Sequence, residues 1–544
     1  MMDVELNAWL LFEHAADHFG DVEIVTALSG GTLHRYTYAD FSRRAQQLMH
    51  ALDRLGLERG DRVATLAWNG FRHLEAYFGV PCAARVLHTL NARLAPDDLG
   101  YIIGHARDRA ILVEPELLPL LEQTGTALES VEHVIVLGDA VPDTSLRTAV
   151  IAYEDLIADL PAAYARLDVD ERSPLGLCYT SGTTGRPKGV VYTHRSTVLH
   201  ALVVTSAAAM AIGPQDCVLP VVPMFHANAW GMPHGATVVG AKQVFAGPHL
   251  DPGLLADLLA AEGVTITAGV PTIWLALAPE LERRGGRLPR LRHIICGGSQ
   301  PPRALLERYL RDFGIPIIQV WGMTETSPLA SVAWPKQHMR EWAEERVTDV
   351  ARTMAGLPLP GVAIRVRAEN GIEAPADGVT MGELLVRGPW VIDEYLGGEG
   401  ADRFDDGWFL TGDIAERSPH GYFVIADRAK DLIKSGGEWI SSVDMESDIM
   451  SMPQVVEAAV VAIPDPKWQE RPLACVVPRD GAAITIEEIR AHLLSRRWAR
   501  WQLPDRLALL AAIPRTSVGK FDKKALRAAF AAAPSAPSPG SAEG

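Results

Sequence analysis

The sequence contains few cysteines, and they form no pattern that would give them a shared role. The five cysteines among 544 residues are Cys82, Cys178, Cys217, Cys296 and Cys475, which are widely spaced and odd in number. This spacing argues against a disulfide framework and gives no sign of a cysteine metal site. It favours a reducing compartment, so a cytoplasmic location is expected.

The chain also lacks a long hydrophobic run and an excess of positive charge. Its most apolar stretch, residues 198–212, contains His200 and is too short to span a bilayer, so it predicts a buried helix. The acidic start, MMDVELNAWLLFEHAADHFG, has no basic segment followed by an apolar run, which argues against a signal peptide. The net charge of −16 argues against nucleic-acid binding. We therefore expect no nucleic-acid partner and no integral membrane segment.

The length of the chain predicts at least two domains. Residues 37–56 predict a helix that Thr37 and Asp40 would cap, and RVATLAW after it predicts a strand. This alternation of helices and strands continues to about residue 425 and indicates α/β layers with mostly parallel sheet. Beyond it, short strands and a helix over 486–497, which Thr485 and Glu488 would cap, predict a small α+β domain. The Pro/Ser/Gly/Ala-rich tail after residue 530 is expected to be disordered.

A glycine- and hydroxyl-rich loop, YTSGTTGRPKGV at residues 179–190, predicts a phosphate site. Glycines let backbone N–H groups approach a ligand closely, while threonine hydroxyls and Lys188 add donors and a positive charge. The loop is not a Walker A motif, since that motif places lysine directly after its last glycine and Lys188 follows Pro187. A polyphosphate is the expected ligand.

Four further segments carry residues that are capable of chemistry. They are WGMTETSP (321–328), WFLTGD (408–413), DRAKDLIKSGGEW (427–439) and PRTSVGK (514–520). Each alone would suit an ordinary surface turn. Together, and in this order after the phosphate loop, they indicate a common site.

This set of motifs resembles the adenylate-forming superfamily of acyl-CoA synthetases, luciferases and peptide-synthetase adenylation domains. The resemblance covers roughly residues 10–528. VVPMFHANAWG (221–231), GVPTIW (269–274) and IKSGGEWISSVD (433–444) look most like medium- and long-chain fatty-acyl-CoA synthetases. The resemblance implies a large N-terminal domain of stacked α/β sheet subdomains with a small β-barrel-like part, and a small mobile α+β C-terminal domain. We expect the domains to span 1–428 and 429–530, with a tail over 531–544.

The resemblance also implies an activity. ATP would convert a fatty acid to an acyl-adenylate with release of pyrophosphate, and transfer to CoA would then give fatty-acyl-CoA and AMP. Mg²⁺ would accompany ATP, because this hard cation prefers carboxylate and phosphate oxygens. A homodimer and peripheral membrane contact during substrate delivery would suit the family.

The resemblance assigns roles to particular residues. Lys520, Glu325, Thr324 and His226 would be catalytic, with Lys520 on the α-phosphate, and Glu325 and Thr184 would bind the metal. The phosphates would lie on Thr180, Ser181, Gly182, Thr183, Thr184, Gly185 and Lys188, and adenine and ribose would lie on Gly297, Gly298, Ser299, Trp321, Gly322, Met323, Asp413 and Arg428. CoA would approach Lys434, Ser435, Gly436, Gly437, Glu438 and Trp439. The acyl pocket would include Phe225, Trp230, Gly269 and Val270, and Lys430 would be the hinge.

The acyl segment favours an uncharged substrate tail. Residues 223–232 contain no Asp or Glu, whereas amino-acid-activating relatives need an acid there for the substrate ammonium. A CoA ligase for an aryl or terpenoid acid, and an enzyme that passes the acyl-adenylate to a carrier protein, remain alternatives. A catalytically idle nucleotide-binding protein is disfavoured because Lys188, Glu325, Asp413 and Lys520 are all present. Trp321 stands where the family usually has Tyr, which leaves the adenine geometry open.

Overall fold

The computed structural model describes residues 2–180, 186–248, 250–428, 431–435, 438–479, 481–496, 498–516 and 520–530. Its strands are β1 (Glu23–Ala27), β2 (Leu33–Thr37), β3 (Arg62–Leu66), β4 (Val86–Thr89), β5 (Ala110–Val113), β6 (His133–Val136), β7 (Ala149–Ala152), β8 (Pro174–Tyr179), β9 (Gly189–Thr193), β10 (Cys217–Pro220), β11 (Lys242–Phe245), β12 (Ile266–Gly269), β13 (His293–Cys296), β14 (Ile317–Gly322), β15 (Leu329–Val332), β16 (Leu357–Pro358), β17 (Ala363–Arg367), β18 (Gly382–Arg387), β19 (Phe404–Asp405), β20 (Trp408–Arg417), β21 (Phe423–Arg428), β22 (Ile433–Ser435), β23 (Glu438–Ile440), β24 (Val455–Asp465), β25 (Gln469–Pro478) and β26 (Arg506–Leu509).

The α-helices are α1 (Ala8–His18), α2 (Tyr38–Arg54), α3 (Phe71–Cys82), α4 (Pro96–Ala106), α5 (Leu118–Glu122), α6 (Tyr153–Ile157), α7 (His194–Thr205), α8 (Met232–Val239), α9 (Pro252–Ala261), α10 (Pro271–Arg283), α11 (Arg303–Arg308), α12 (Glu344–Val347), α13 (Ser442–Met450), α14 (Ile486–Leu494) and α15 (Lys523–Phe530). None of the helices in the described part of the chain is long and apolar enough to cross a membrane.

Two large sheets dominate the first of two compact units, which comprises residues 1–301, 305–411 and 416–424. One sheet has the strand order β16-β15-β14-β13-β12-β10-β11-β1-β2 and is parallel from β14 through β1. The other has the order β7-β6-β5-β3-β4-β8-β9 and is parallel except for the β8–β9 hairpin. Helices connect most of the successive parallel strands, as the alternating sequence pattern predicts, whereas residues 137–148 join β6 to β7 without a helix.

A smaller sheet follows, in which β17-β18-β20-β19 are neighbours and β21 joins β20. It provides the small β part that accompanies the α/β subdomains. The second compact unit comprises residues 302–304, 412–415 and 425–544. Its sheet has the order β23-β22-β25-β24 with β26 beside β25, and helices α13 and α14 complete an α+β unit. The fold class expected from the sequence is confirmed.

Local signals in the sequence match most, but not all, of the element boundaries. Thr37 and Asp40 form the predicted capping box of α2, and Thr485 and Glu488 form that of α14. The prediction of one helix over residues 198–212 is wrong beyond Thr205, because Ser206 leaves the helical conformation and its carbonyl closes a turn. The predicted helix over 486–497 ends at Leu494. All five cysteines are buried and free.

A buried ion pair joins α2 to α3 within the first unit. Arg44 Nε lies 2.7 Å from Glu75 Oε1, and the Tyr153 hydroxyl donates to Glu75 Oε2 at 2.6 Å. Burial raises the pKa of Glu75, and Arg44 opposes that shift. The Glu75 side chain is 0% exposed, so its carboxylate depends on these partners.

Replacing Arg44 tests this dependence. Arg44→Met leaves Glu75 buried without its cation, a change that costs about 3–5 kcal/mol. We expect the thermal midpoint to fall by about 3–6 °C, because the entropy of unfolding scales with the size of the unit. Arg43→Met is the matched control on the same helix, since Arg43 contacts exposed Asp40 at 3.2 Å and should leave the midpoint nearly unchanged. Equal effects of the two substitutions would contradict this account.

Candidate active site

The predicted acyl and adenine residues follow neighbouring strands of the nine-stranded sheet. Strands β10, β12, β13 and β14 are adjacent and parallel, so their carboxyl ends lie along one edge. Residues 221–231 follow β10, Gly269 and Val270 lie at the end of β12, Gly297–Ser299 follow β13, and Trp321–Glu325 lie at the end of β14. Ligands in open α/β sheets bind at this edge. The topology therefore brings these segments together in the first unit.

The base of the phosphate loop is a closed hairpin between β8 and β9. The Thr180 N–H donates to the Lys188 carbonyl at 3.0 Å, and the Lys188 N–H donates to Thr180 Oγ1 at 3.1 Å. Residues 181–185 lie outside the described residues. They include most of the predicted phosphate ligands, among them Thr184, which is also a predicted metal ligand. The Lys188 ammonium lies 5.0 Å from the centre of the Tyr395 ring, a distance that suits a cation–π contact.

Glu325 lies in a short turn that several backbone contacts hold in place. It is 8% exposed, and its Oε1 accepts a hydrogen bond of 2.7 Å from the Tyr395 hydroxyl. The Ile392 N–H donates to the Glu325 carbonyl at 3.0 Å, and the Tyr192 hydroxyl donates to the Thr324 carbonyl at 2.8 Å. Burial, reinforced by the Glu325 charge, raises the pKa of Tyr395, so this hydroxyl remains a donor. Tyr395 thus links the carboxylate to the lysine of the phosphate loop.

This arrangement fits Mg²⁺ bound together with substrate phosphates. The described residues contain no group of three or more His, Cys, Asp or Glu side chains that could hold a metal ion alone. Mg²⁺ needs no such group, because it commonly takes one or two carboxylates and completes its shell with water and phosphate oxygens. Glu325 provides one carboxylate next to the phosphate hairpin.

The acyl segment contains a run of backbone in the left-handed region. Ala227, Asn228, Ala229 and Trp230 have φ between 44° and 58°, and Gly231 continues the run at 75°. Such a conformation costs roughly 1–2 kcal/mol for each residue that has a side chain, so the surroundings must hold it in place.

Asn69, which follows strand β3 of the seven-stranded sheet, fixes the backbone that leads into this run. Its side-chain amide donates to the carbonyls of Pro220 and Val222 at 3.0 and 2.9 Å, and its Oδ1 accepts from the Met224 N–H at 2.6 Å. The Tyr77 hydroxyl donates to the Met224 carbonyl. The path of the acyl segment is therefore fixed from outside its own sequence.

Trp230 and the predicted adenine loop lie next to each other. Trp230 is buried, and a Cβ added to Gly297 would lie 3.2 Å from its Cη2 atom and 2.7 Å from a Val320 methyl. Only glycine fits between the two side chains. Phe225 is also buried, whereas His226 is half-buried and donates its backbone N–H to the Pro223 carbonyl at 2.9 Å.

His200 is a neutral imidazole that contacts both Leu329 at the start of β15 and Gly231 at the end of the left-handed run. Its Nε2 accepts the Leu329 N–H at 3.1 Å, and burial lowers its pKa to about 3. A Cβ added to Gly231 would lie 2.5 Å from the His200 ring, so this position also requires glycine. The Trp390 indole donates to the Leu329 carbonyl at 3.0 Å and packs edge-on against His200.

Of the remaining predicted nucleotide-binding residues of the first unit, Gly298 and Ser299 are exposed, whereas Trp321 and Gly322 are closely packed. Gly298 has φ of 82°. Trp321 contacts Phe423 edge to face at 5.6 Å. A Cβ on Gly322 would lie 1.9 Å from the Pro328 carbonyl oxygen, and the Met323 N–H donates to the same oxygen at 3.1 Å.

The second unit holds the other predicted residues. Asp413 is 1% exposed on β20, Arg428 ends β21, and Glu438 and Trp439 lie in β23. In β22 Lys434 is exposed and Ser435 is buried. Lys520 is half-buried, and its N–H donates to Thr516 Oγ1 at 3.2 Å. Lys430, Gly436 and Gly437 lie outside the described residues.

The sequence reasoning missed the residues that hold the site together. Asn69, Tyr192, Trp390 and Tyr395 belong to none of its motifs, and His200 was noted only as an interruption of an apolar stretch. These residues act through contacts with segments that are distant in sequence, so no local pattern marks them.

Comparison with known proteins identifies relatives along almost the whole chain. Residues 12–396 match the family described as AMP-binding enzyme, and residues 444–520 match the AMP-binding enzyme C-terminal domain. The chain is 52% identical to a long-chain-fatty-acid–CoA ligase of Thermus thermophilus, an alignment that covers 97% of this chain and 96% of the relative. It is 40% identical to a medium-chain-fatty-acid–CoA ligase of Ectopseudomonas oleovorans, with the same shares covered.

A solved structure agrees with this assignment. An anthranilate CoA ligase in complex with anthranoyl-AMP superposes with a TM-score of 0.87 at 25% identity, over 97% of this chain and 98% of that one. The motifs, the arrangement of strand ends and the matches point to one conclusion. The chain belongs to the AMP-binding enzyme family, the adenylate-forming ligases.

Proposed function

We propose that the protein is an AMP-forming fatty-acid–CoA ligase. The observation that carries this proposal is the similarity, over nearly the full length, to a long-chain and a medium-chain fatty-acid–CoA ligase. The acyl segment agrees with it, because residues 223–232 carry no acidic side chain. Each buried methylene of an alkyl tail would add about 0.8 kcal/mol of binding free energy.

The proposed reaction has two steps. A carboxylate oxygen of the fatty acid attacks the α-phosphorus of ATP. The bond between the α-phosphorus and the oxygen that bridges it to the β-phosphorus then breaks, and pyrophosphate leaves. The CoA thiolate then attacks the acyl carbonyl, the acyl–phosphate bond breaks, and AMP leaves. Adenylation makes the second step possible, since AMP leaves more readily than an oxide ion.

The first unit would bind the nucleotide and the acid. Thr180, Lys188 and residues 181–185 would hold the β- and γ-phosphates, and Trp321–Met323 with Gly297–Ser299 would hold adenine. Glu325 would bind Mg²⁺, which when bound neutralises charge on the phosphates. Tyr395 keeps the Glu325 carboxylate oriented, and Thr324 would contact the α-phosphate. Phe225, Trp230, Gly269 and Val270 would line the acyl pocket, with His226 near the acyl carboxyl.

The second unit would complete each step in turn. Asp413 and Arg428 would hold the ribose, and Lys520 would stabilise the charge that builds on the α-phosphate during adenylation. Rotation at Lys430 would then bring Lys434–Trp439 towards CoA. We further propose that the domains span residues 1–428 and 429–530, with a tail over 531–544. We also propose that the protein is a cytoplasmic homodimer that makes peripheral membrane contact.

A substrate panel tests the proposed function. The purified protein is incubated with ATP, Mg²⁺ and straight-chain acids from acetate to oleate, together with aryl acids, and pyrophosphate and thioester are measured with and without CoA. We expect an optimum among medium- or long-chain acids and thioester only with CoA. Activity confined to aryl acids would leave the family assignment intact and refute the fatty-acid proposal. Adenylate that never becomes thioester would indicate a carrier-protein acceptor.

Tyr395→Phe tests the support of Glu325. The substitution keeps the ring beside Lys188 and removes only the hydroxyl that donates to the carboxylate. A hydrogen bond to a charged group contributes about 1.5–3 kcal/mol, so ATP–pyrophosphate exchange should fall by roughly 10- to 100-fold and require more Mg²⁺. Tyr192→Phe is the comparison variant: it removes a hydroxyl that donates to the neutral Thr324 carbonyl, so it should lower exchange less than Tyr395→Phe and leave the Mg²⁺ requirement unchanged. Wild-type exchange by Tyr395→Phe would refute this role.

A further inference from the structure

Arg471 in β25 is a buried cation whose guanidinium hydrogen bonds are all used. Its Nε and Nη2 donate to the two Asp505 carboxylate oxygens at 2.6 and 2.9 Å. Its Nη1 donates to Ser435 Oγ at 2.9 Å and to the Trp501 carbonyl at 2.5 Å, and Nη2 also donates to the Leu503 carbonyl at 2.8 Å. These five bonds match the five N–H donors of a guanidinium. Arg471 is 7% exposed.

The five bonds join three segments of the second unit. One segment is β25, on which Arg471 lies, the second is the loop that contains Trp501, Leu503 and Asp505, and the third is the end of β22 at Ser435. Lysine could not replace this connection, because an ammonium has three donors and lacks the planar fork. The arrangement therefore fixes relative positions in addition to neutralising Asp505.

Strand β22 is short, so side-chain hydrogen bonds contribute to holding its end. It is three residues long, and within the described residues its Ser435 pairs with Gln469 of β25. The Lys434 N–H donates to Glu470 Oε2 at 2.8 Å, and Ser435 pairs with Glu438 of β23. Ser435 is 3% exposed, so its hydroxyl faces the protein interior and Arg471. Removing the bond from Arg471 would free the end of β22 to shift against β25.

We propose that Arg471 is a positioning residue for thioester formation: through Ser435 it holds the paired strands β22 and β23 where they meet CoA. This inference rests on the proposed function, which places residues 434–439 on the path of CoA. Arg471 acts on that step through Ser435 and does not touch the reacting atoms. Adenylation uses residues of the first unit together with Asp413, Arg428 and Lys520, so it should be largely independent of Arg471.

Arg471→Lys in the full-length protein tests the proposal by separating the two half-reactions. Adenylation is measured as acid-dependent ATP–pyrophosphate exchange, and thioester formation as single-turnover transfer from preformed acyl-adenylate to CoA. We expect the second-order rate constant of this transfer with respect to CoA to fall by roughly 10- to 100-fold, because small displacements of positioning groups have effects of this size. Exchange should stay within about twofold of wild type.

Two further variants separate positioning from general destabilisation. Ser435→Ala removes the hydroxyl that Arg471 contacts but leaves the Arg471–Asp505 pair, and it should reproduce the CoA-specific loss. The double variant should lose little more than either single variant, because both interrupt one connection. Arg490→Lys is the comparison on the same loop: Arg490 donates to the Pro504 and Asp505 carbonyls at 2.9 and 3.3 Å, and because a lysine there leaves the Arg471–Ser435 bond in place, both half-reactions should stay near wild type.

Four outcomes would overturn the proposal. Equal losses in both half-reactions, or additive effects of the two substitutions, would mean that Arg471 serves stability alone. Wild-type transfer to CoA by Arg471→Lys would mean that the guanidinium bonds are dispensable. If the wild-type protein forms acyl-adenylate but no thioester with CoA, the proposed function itself fails, and the positioning role fails with it.

Discussion

The hydrogen bond between the Tyr395 hydroxyl and the Glu325 carboxylate is the interaction on which the proposed active site depends. Burial of the Glu325 carboxylate, which belongs to a residue that is 8% exposed, costs free energy of desolvation unless a hydrogen-bond donor or a cation compensates for it. Tyr395 supplies the donor at 2.7 Å and lies against the Lys188 ammonium. One tyrosine therefore aligns the proposed metal ligand with the base of the phosphate hairpin. In a chain of net charge −16, a polyphosphate needs cations concentrated at its site, and Lys188 at the base of the hairpin supplies one.

The sheet topology explains why this pairing occurs where the acyl and adenine segments also lie. Four adjacent parallel strands end along one edge, and each end carries a predicted segment. Asn69 fixes the backbone that leads into the left-handed run of the acyl segment, and His200 packs against Gly231 at the end of that run. The second unit uses the same device, since Arg471 fixes the end of β22 from β25 and the loop near Asp505.

The sequence predicted the parts of the fold that depend on local signals. The capping boxes at Thr37 and Thr485, and the alternation of helices and strands, depend on residues that are close in sequence, and the folded structure contains them. It also predicted the segments at the strand ends, because their residue types match a known family. It did not predict Asn69, Tyr395, His200 or Arg471, whose partners lie far away in sequence. The predicted helix over 198–212 extends too far because apolar residues continue past Thr205, whereas the backbone leaves the helical conformation at Ser206.

The most direct test of the central claim is ATP–pyrophosphate exchange by Glu325→Gln across a range of Mg²⁺ concentrations. Glutamine keeps the shape of the side chain and removes its charge. The account predicts that exchange falls by about 100-fold or more and no longer saturates at the Mg²⁺ concentration that suffices for the wild type. Transfer of preformed acyl-adenylate to CoA should persist. Exchange at the wild-type rate, with an unchanged Mg²⁺ requirement, would contradict the assignment of Glu325 as the metal ligand.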